Sequence, residues 1–183
     1  MTIVETERLI VRPWRDDDLA AFAALNADPA VMEHFPACLD RADSDALADR
    51  IRTVADLDSG IGFWAVEVPG VAPFIGFVGL RRVGPDMPFA PAVEIGWRLA
   101  RAHWGHGYAS EAARAMLDVG FRRCHLADIV AFTVPANARS QAVMRRLGMT
   151  RDTNADFEHP ALPAGHPLRR HVLYRLTAAA AGC

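Results

Sequence analysis

A strand-to-helix junction in the middle of the chain constrains the fold most. Apolar residues alternate with polar or small ones along Val93–Leu99, which is the period of a half-buried strand, and from 112 to 121 they recur at helical spacing. Gly105 and Gly107 lie in the turn between these segments. Glycine permits positive φ and close approach of a ligand, and a helix start presents free N–H groups and a positive dipole. The junction therefore predicts a cradle for an anion, with pyrophosphate as the natural occupant.

Two familiar phosphate-binding motifs do not match this turn. The dinucleotide fingerprint needs a third glycine where this chain has Ser110, and the phosphate loop of nucleotide hydrolases needs a lysine that does not follow Gly107. An ordinary strand–helix turn without a ligand stays open as an alternative on this motif alone.

Three segments together carry a resemblance to a known family. They are Thr6–Asp18 (TERLIVRPWRDDD), Glu94–Leu99 (EIGWRL) followed by Trp104–Ala112 (WGHGYASEA), and Asn137–Met149 (NARSQAVMRRLGM). In sequence, order and separation they resemble the GCN5-related N-acetyltransferases (GNAT), particularly the branch of the ribosomal-protein N-terminal acetyltransferases (RimJ/RimL-like).

The resemblance implies a fold and an activity. The expected fold is α/β, with a mixed, mostly antiparallel central sheet that is splayed between its fourth and fifth strands and flanked by helices on both faces. The expected activity is transfer of an acetyl group from acetyl-CoA, the co-substrate, to a primary amine by direct attack in a ternary complex. The acceptor stays open between a protein or peptide N-terminus and a small molecule, and the resemblance permits a monomer or a homodimer.

Composition is that of an ordinary globular protein. A chain of 183 residues with 51% apolar residues, 23% charged residues and a net charge of −2 predicts one domain over 1–183 and gives no basic excess for nucleic acid. No apolar run reaches the roughly 18 residues that span a bilayer, and the first residues are acidic where a secretion signal is basic. We therefore expect a cytoplasmic protein without a membrane partner.

Cysteine and histidine spacing gives no sign of a metal site or a disulfide framework. The three cysteines are odd in number and lack a Cys-x-x-Cys pair, and the seven histidines include no His-x-x-x-His pair. We therefore expect no metal. A covalent route through Cys38 or Cys124 is also not expected, because neither belongs to a motif that would activate it.

The order of predicted elements indicates a mixed α/β domain. Strands are predicted over 7–13, 63–68, 74–80, 93–99, 129–134 and 171–176, with a hairpin turn near Pro69-Gly70. Helices are predicted after a cap at Asp16–Asp18, after Asp28-Pro29, along an apolar run from 46 to 57 that ends at Ser59-Gly60, along 112–121 and over 137–147. Loops are predicted over 84–91, which would wall the substrate cleft, and over 152–169.

The resemblance also assigns residues to the cofactor. Backbone groups of the strand at Trp97 and Leu99, with Arg98 between them, would hold the acyl arm, and the turn at Trp104, Gly105, His106, Gly107, Tyr108 and Ala109 would hold the pyrophosphate. Asn137 would anchor the pantetheine amides, with helix capping as its alternative role.

An attacking amine must first lose a proton, and Glu94 is the leading candidate for its acceptor. Strand alternation places Glu94, Gly96 and Arg98 on one face. The alternatives are an ordered water as the base and a purely structural role for Glu94, for instance an ion pair with Arg98 or Arg12. His103 is a weaker candidate for the base.

The leaving thiolate needs a proton donor, and the resemblance is incomplete here. Many relatives carry a tyrosine at the position of Met144, which cannot donate a proton. Ser140, one helical turn earlier, is the candidate that the ribosomal-protein branch suggests. A hydroxyl bonded to its own helix backbone is the alternative for a serine inside a helix.

A second class of function stays open at this point. An acyl-CoA-binding regulatory module with little or no turnover would need the same glycine turn. Acidic residues at 40, 43, 45 and 49 would suit a polycationic acceptor such as a polyamine, but they are equally typical of a solvated helix face.

Overall fold

A single eight-stranded sheet organises the protein, which is described here by a computed structural model covering residues 2–182. The strands are β1 Val4–Glu5, β2 Ile10–Arg12, β3 Gly62–Val68, β4 Ala72–Arg82, β5 Val93–Leu99, β6 Asp128–Thr133, β7 Thr150–Glu158 and β8 Arg170–Thr177. The helices are α1 Asp18–Ala27, α2 Pro29–Met32, α3 Arg41–Thr53, α4 Tyr108–Asp118, α5 Ala138–Arg146 and α6 Ala178–Ala181, with a 3₁₀ turn over Arg101–His103 and a π-helical turn over Val119–Arg123.

The sheet is opened between β5 and β6. The strand order is β1-β2-β3-β4-β5-β6-β8-β7, and neighbours are antiparallel except for β5 and β6. These two are parallel and pair at one position, Glu94 opposite Val130, although β5 continues to Leu99. If the two-residue β1 is left out of the count, β5 and β6 are the fourth and fifth strands. The expected splayed sheet is confirmed.

Helices cover both faces of the sheet because each carries one apolar stripe. Residues Ala112, Ala113, Met116 and Leu117 of α4 pack with α5 on the face that includes Ile95 and Leu99. Phe22 and Leu25 of α1 pack with α3 on the opposite face, against Phe74 and Phe77. Within residues 2–182, no helix combines the length and apolar character needed to cross a bilayer.

The start of α1 differs from the predicted cap. Asp17 occupies the cap position without a side-chain hydrogen bond, and Asp18 lies inside the helix. The Asp18 carboxylate accepts two hydrogen bonds from the Arg12 guanidinium, at 2.8 and 2.9 Å, and one from the amide of Arg15 at 2.7 Å. Both side chains of this pair are almost fully buried. A buried cation requires a counter-charge, so Asp18 connects β2 to α1 instead of capping the helix.

Two predicted boundaries were wrong for identifiable reasons. Helix α3 ends at Thr53, so Val54 and Leu57 lie outside it and are exposed, because Asp56 accepts hydrogen bonds from the backbone of residues 58 and 59 and forms a local turn. The predicted loop 152–169 begins with a strand, β7, which is an edge strand of mostly exposed polar residues. Such a strand has no apolar alternation to reveal it.

The acidic residues of α3 form a solvated face. Asp40 caps the helix by accepting a hydrogen bond from the amide of Asp43, and Asp45 forms an exposed ion pair with Arg41. Asp43 and Asp49 are exposed. These carboxylates therefore give no acidic groove for a polyamine.

Candidate functional site

The glycine turn leads from β5 into α4 with the predicted backbone. Gly105 and Gly107 have φ of +80° and +83°, and Gly107 is the N-cap residue of α4. Within residues 2–182 no side chain caps this helix start, so no described side chain accepts a hydrogen bond from the amides of its first turn. A Cβ at Gly105 would meet nothing within 4 Å, which shows that glycine is needed here for its backbone conformation. The turn thus presents free donors, as an anion site requires.

Side chains of the turn hold it in place. The indole Nε1 of Trp104 donates a hydrogen bond to the carbonyl of Leu99 at 2.8 Å, and the Arg139 guanidinium lies 4.7 Å from the Trp104 ring. The His106 ring stacks on Tyr108, with 5.4 Å between the ring centroids. These contacts tie the turn to the end of β5 and to α5.

Arg8 is a further cation at this turn that the sequence analysis missed. Its guanidinium forms an ion pair with Glu111 at 2.5 Å, donates to the carbonyl of His106 at 3.0 Å and lies 4.9 Å from the Tyr108 ring. Because Glu111 is 103 residues away in sequence, only the fold brings the pair together. The acidic residue in the first turn of α4 was the available signal that a cation is held nearby.

Strand β5 presents different groups on its two faces, as alternation predicted. Trp97 and Leu99 pack on the α4 side, and Trp97 is only partly buried. Glu94 and Arg98 lie on the other side, where they contact Arg81 and Phe77 of β4. Within the described residues, β5 beyond Glu94 has no strand partner on the β6 side. Its backbone edge is therefore free for a ligand in the wedge.

Glu94 is buried, with 6% of its surface exposed, and forms an ion pair with Arg81. The Nε of Arg81 donates to its carboxylate at 2.7 Å. Burial raises the pKa of Glu94 above its ordinary value, although the Arg81 charge and hydrogen bond act in the opposite direction. The suggested partners Arg98 and Arg12 are wrong, and the register of the β4–β5 hairpin, which pairs Arg81 with Glu94, gives the reason.

His103 lies in the 3₁₀ turn that follows β5, outside the strand that carries Glu94. Partial burial, with a smaller contribution from nearby His106, lowers the pKa of His103 below its ordinary value. Because it lies in this turn and not on the strand beside Glu94, it stays the weaker candidate for a base.

The start of α5 gathers Asn137 and Ser140. Asn137 caps the helix by accepting a hydrogen bond from the amide of Ser140 at 3.1 Å, and its Nδ2 donates to the hydroxyl of Thr133 at 3.0 Å. Its capping role is thus confirmed. Ser140 lies in the first helical turn, and no hydrogen bond joins its hydroxyl to another described residue. Met144 is buried in the core, at 2% exposure, and supplies no proton donor.

A surface cleft adjoins the Arg81–Glu94 pair. Gly84, Asp86 and Met87 of the predicted loop line one part of it, and Arg81, Phe132 and His159 line another. Behind it the rings of Phe89, Phe132, Phe157, His159 and His171 form an aromatic cluster. Burial lowers the pKa of both histidines. The first part of the predicted loop 84–91 therefore lines a cleft that reaches Arg81, the ion-pair partner of Glu94.

Comparison with known proteins shows which family the sequence matches. The family model described as the acetyltransferase (GNAT) domain matches residues 8–150. The uncharacterized protein YkkB of Bacillus subtilis (strain 168) is 32% identical over 149 residues, which cover 81% of this chain and 85% of that protein.

Solved structures share the fold. An acetyltransferase of the GNAT family from Bacillus anthracis superposes with a TM-score of 0.79 at 24% identity, covering 98% of this chain and 99% of that one. RimL, a ribosomal L7/L12 α-N-protein acetyltransferase solved with coenzyme A, superposes with a TM-score of 0.76 at 16% identity, covering 97% of this chain and 98% of that one.

Proposed function

Because the chain belongs to the GNAT family of acetyltransferases and uses acetyl-CoA as its co-substrate, we propose that it acetylates a primary amine by direct attack in a ternary complex. One observation carries this proposal: the uncapped glycine turn lies beside the edge of β5 that has no strand partner. Glu94 lies on the same strand and is buried. We also propose that residues 1–183 make one acetyltransferase domain, which the single continuous sheet supports.

The cofactor would lie across the turn and the wedge. Free amides along residues 104–109 would bind the pyrophosphate, assisted by the dipole of α4 and by the charge of Arg8. The backbone of residues 97–99 would align the acyl arm, since this edge of β5 has no strand partner beyond Glu94. Asn137 and Ser140 at the start of α5 would hold the pantetheine end. The cap uses the Asn137 amide oxygen and the Ser140 backbone N–H, so the Ser140 hydroxyl and the Asn137 amide group can still form hydrogen bonds to a ligand.

Transfer then needs two proton movements. Glu94, directly or through a water, would take a proton from the ammonium group, and the free amine would attack the thioester carbonyl. Backbone donors on β5 would stabilise the oxyanion, and the C–S bond would break as the tetrahedral intermediate collapses. The nitrogen of the intermediate carries an extra proton after the attack, and Ser140 would relay it, giving its own proton to the departing thiolate and regaining one from that nitrogen. Burial suits Glu94 to this role, because it moves the pKa toward the pH at which a base works best.

Amine-dependent release of the CoA thiol tests the activity. The purified protein is incubated with acetyl-CoA and a panel of peptides, amino acids, polyamines and aminoglycosides, and free thiol and acetylated amine are both measured. We expect turnover that requires an amine and yields the two products in equal amounts. Binding of acetyl-CoA without turnover on any amine would contradict the proposal and would favour a regulatory acyl-CoA-binding module.

A further inference from the structure

Arg98 is a cation without a counter-ion on the Glu94 face of β5. Its Nη1 donates a hydrogen bond to the amide oxygen of Asn26 at 2.6 Å. Its Nε is buried and has no hydrogen-bond partner among residues 2–182. No hydrogen bond to Nη2 and no ion pair to Arg98 is formed within that part of the chain. Nε is therefore a buried donor without a partner, and Nη2 beside it is not among the buried unpartnered atoms, so this edge of the guanidinium can be reached by a ligand.

The surroundings of Arg98 are apolar. The Phe35 ring lies 4.0 Å from its guanidinium carbon and the Phe77 ring lies 5.5 Å away. Burial lowers the pKa of Arg98 to about 10, with no compensating carboxylate nearby. At neutral pH the group still carries its charge. Buried charges in proteins are normally paired, and a buried donor left unsatisfied is costly, so this arrangement indicates that a ligand supplies the missing partner.

The position of Arg98 relates it to the acceptor and not to the cofactor turn. Glu94 and Arg98 project from the same face of β5, whereas α4 packs on the other; of the glycine turn, Tyr108 and Ala109 pack on the α4 side and Trp104 contacts both sides. They are four positions apart along the strand, which corresponds to roughly 13 Å between their Cα atoms. Asn26 and Phe35 come from α1 and from the segment after α2. Phe35 is 38% exposed and forms an outer wall that a ligand can reach.

We propose that Arg98 binds a carboxylate of the acceptor, so that the substrate is an amine that also carries a carboxylate, such as an amino acid or a short peptide. The Nε and Nη2 donors form the side of the guanidinium that a carboxylate engages through two parallel hydrogen bonds. The inference rests on the proposed acetyl transfer and specifies its substrate class. A polyamine is disfavoured, because Arg98 would repel a second cation in a low-dielectric site.

Paired acceptors test the proposal on the wild-type protein. The common amino acids and a set of dipeptides are each compared with their C-terminal amides, which keep the amine and lose the carboxylate charge, and spermidine is included. Because hydrogen bonds to charged groups contribute roughly 1.5–3 kcal/mol, we expect kcat/KM for the best acid to exceed that for its amide by at least about tenfold. Equal use of acid and amide, or a preference for spermidine, would overturn the inference and leave the acetyltransferase activity intact.

Substitutions of Arg98 test whether this side chain causes the preference for acids over amides. Arg98→Met should abolish the discrimination between acid and amide. Arg50→Met removes the same charge from the exposed surface of α3 and should keep the wild-type discrimination. Arg98→Lys, which keeps the charge without the two-pronged edge, should give an intermediate ratio and serves if the methionine variant does not fold. A raised Kd for acetyl-CoA with unchanged discrimination would instead assign Arg98 to the cofactor. Absence of turnover with every amine would overturn the proposed function itself.

Discussion

At the scale of single residues, two opposing influences determine the pKa of Glu94. Burial raises its pKa and the Arg81 ion pair lowers it, with burial the larger. If Glu94 is the base, its carboxylate is the active form, so kcat/KM should rise with pH through a midpoint above the ordinary value for glutamate, about 4.3. Glu94→Gln should lower kcat by about 10²–10⁴ and remove this rise. A pH series of initial rates measures both.

The Arg81 partner offers a check on the assignment. Arg81→Met removes the charge that favours the Glu94 carboxylate, and should therefore shift the rising limb of the profile to higher pH. Arg82→Met is the matched control, since Arg82 is exposed and makes no ion pair within residues 2–182. If neither Glu94→Gln nor Arg81→Met changes the pH profile, Glu94 is a structural carboxylate and a water-borne route takes the proton.

Local pattern predicted the face of each β5 residue but not its partner. Alternation placed Glu94 and Arg98 together, because a strand has a period of two whatever surrounds it. The Glu94 partner depends on the register of β4, and the Arg98 contacts depend on how α1 and the segment carrying Phe35 fold over the sheet. Pairings of that kind are decided by tertiary packing and were not available from spacing.

At the scale of elements, α5 tests whether Asn137 has a structural role. Asn137→Ala removes the acceptor of the Ser140 amide and should lower the free energy of unfolding by about 1 kcal/mol. Asn137→Asp retains the capping oxygen and should lower the free energy of unfolding by less. Urea unfolding of the three proteins measures the difference, and equal losses in both variants would show that the contact to Thr133, not the cap, is what matters.

The elements themselves were predictable where sequence signals were strong. The glycine turn, the β3–β4 hairpin and β8 follow from residue types that permit few conformations or from clear alternation. Strand β7 was missed because its residues are polar and its pairing with β8 is through the backbone. The end of α3 was misplaced because a local Asp56 turn competes with the apolar period.

At the scale of the whole molecule, β5 separates two kinds of site. One face and the free edge lead to the glycine turn and α4, and the other face carries Glu94 and the unpaired Arg98. The splayed sheet allows a ligand to reach both. The family resemblance implied the splayed sheet. It did not imply the pairing of Arg8 with Glu111 at the glycine turn, because these residues come from distant parts of the chain.

The binding of acetyl-CoA to a variant of the glycine turn is the most direct test of this account. Calorimetric titration should show that the wild type binds and that Gly107→Glu does not, because a carboxylate at the start of α4 would occupy and repel the pyrophosphate site. Gly182→Glu is the control, because Gly182 has φ +76°, similar to the +83° of Gly107, and a Cβ there meets nothing within 4 Å. It follows α6, which begins beside Ala127 beyond the C-terminal end of α4, so this variant should bind like the wild type. Wild-type affinity in Gly107→Glu would contradict the assignment of this turn to the cofactor.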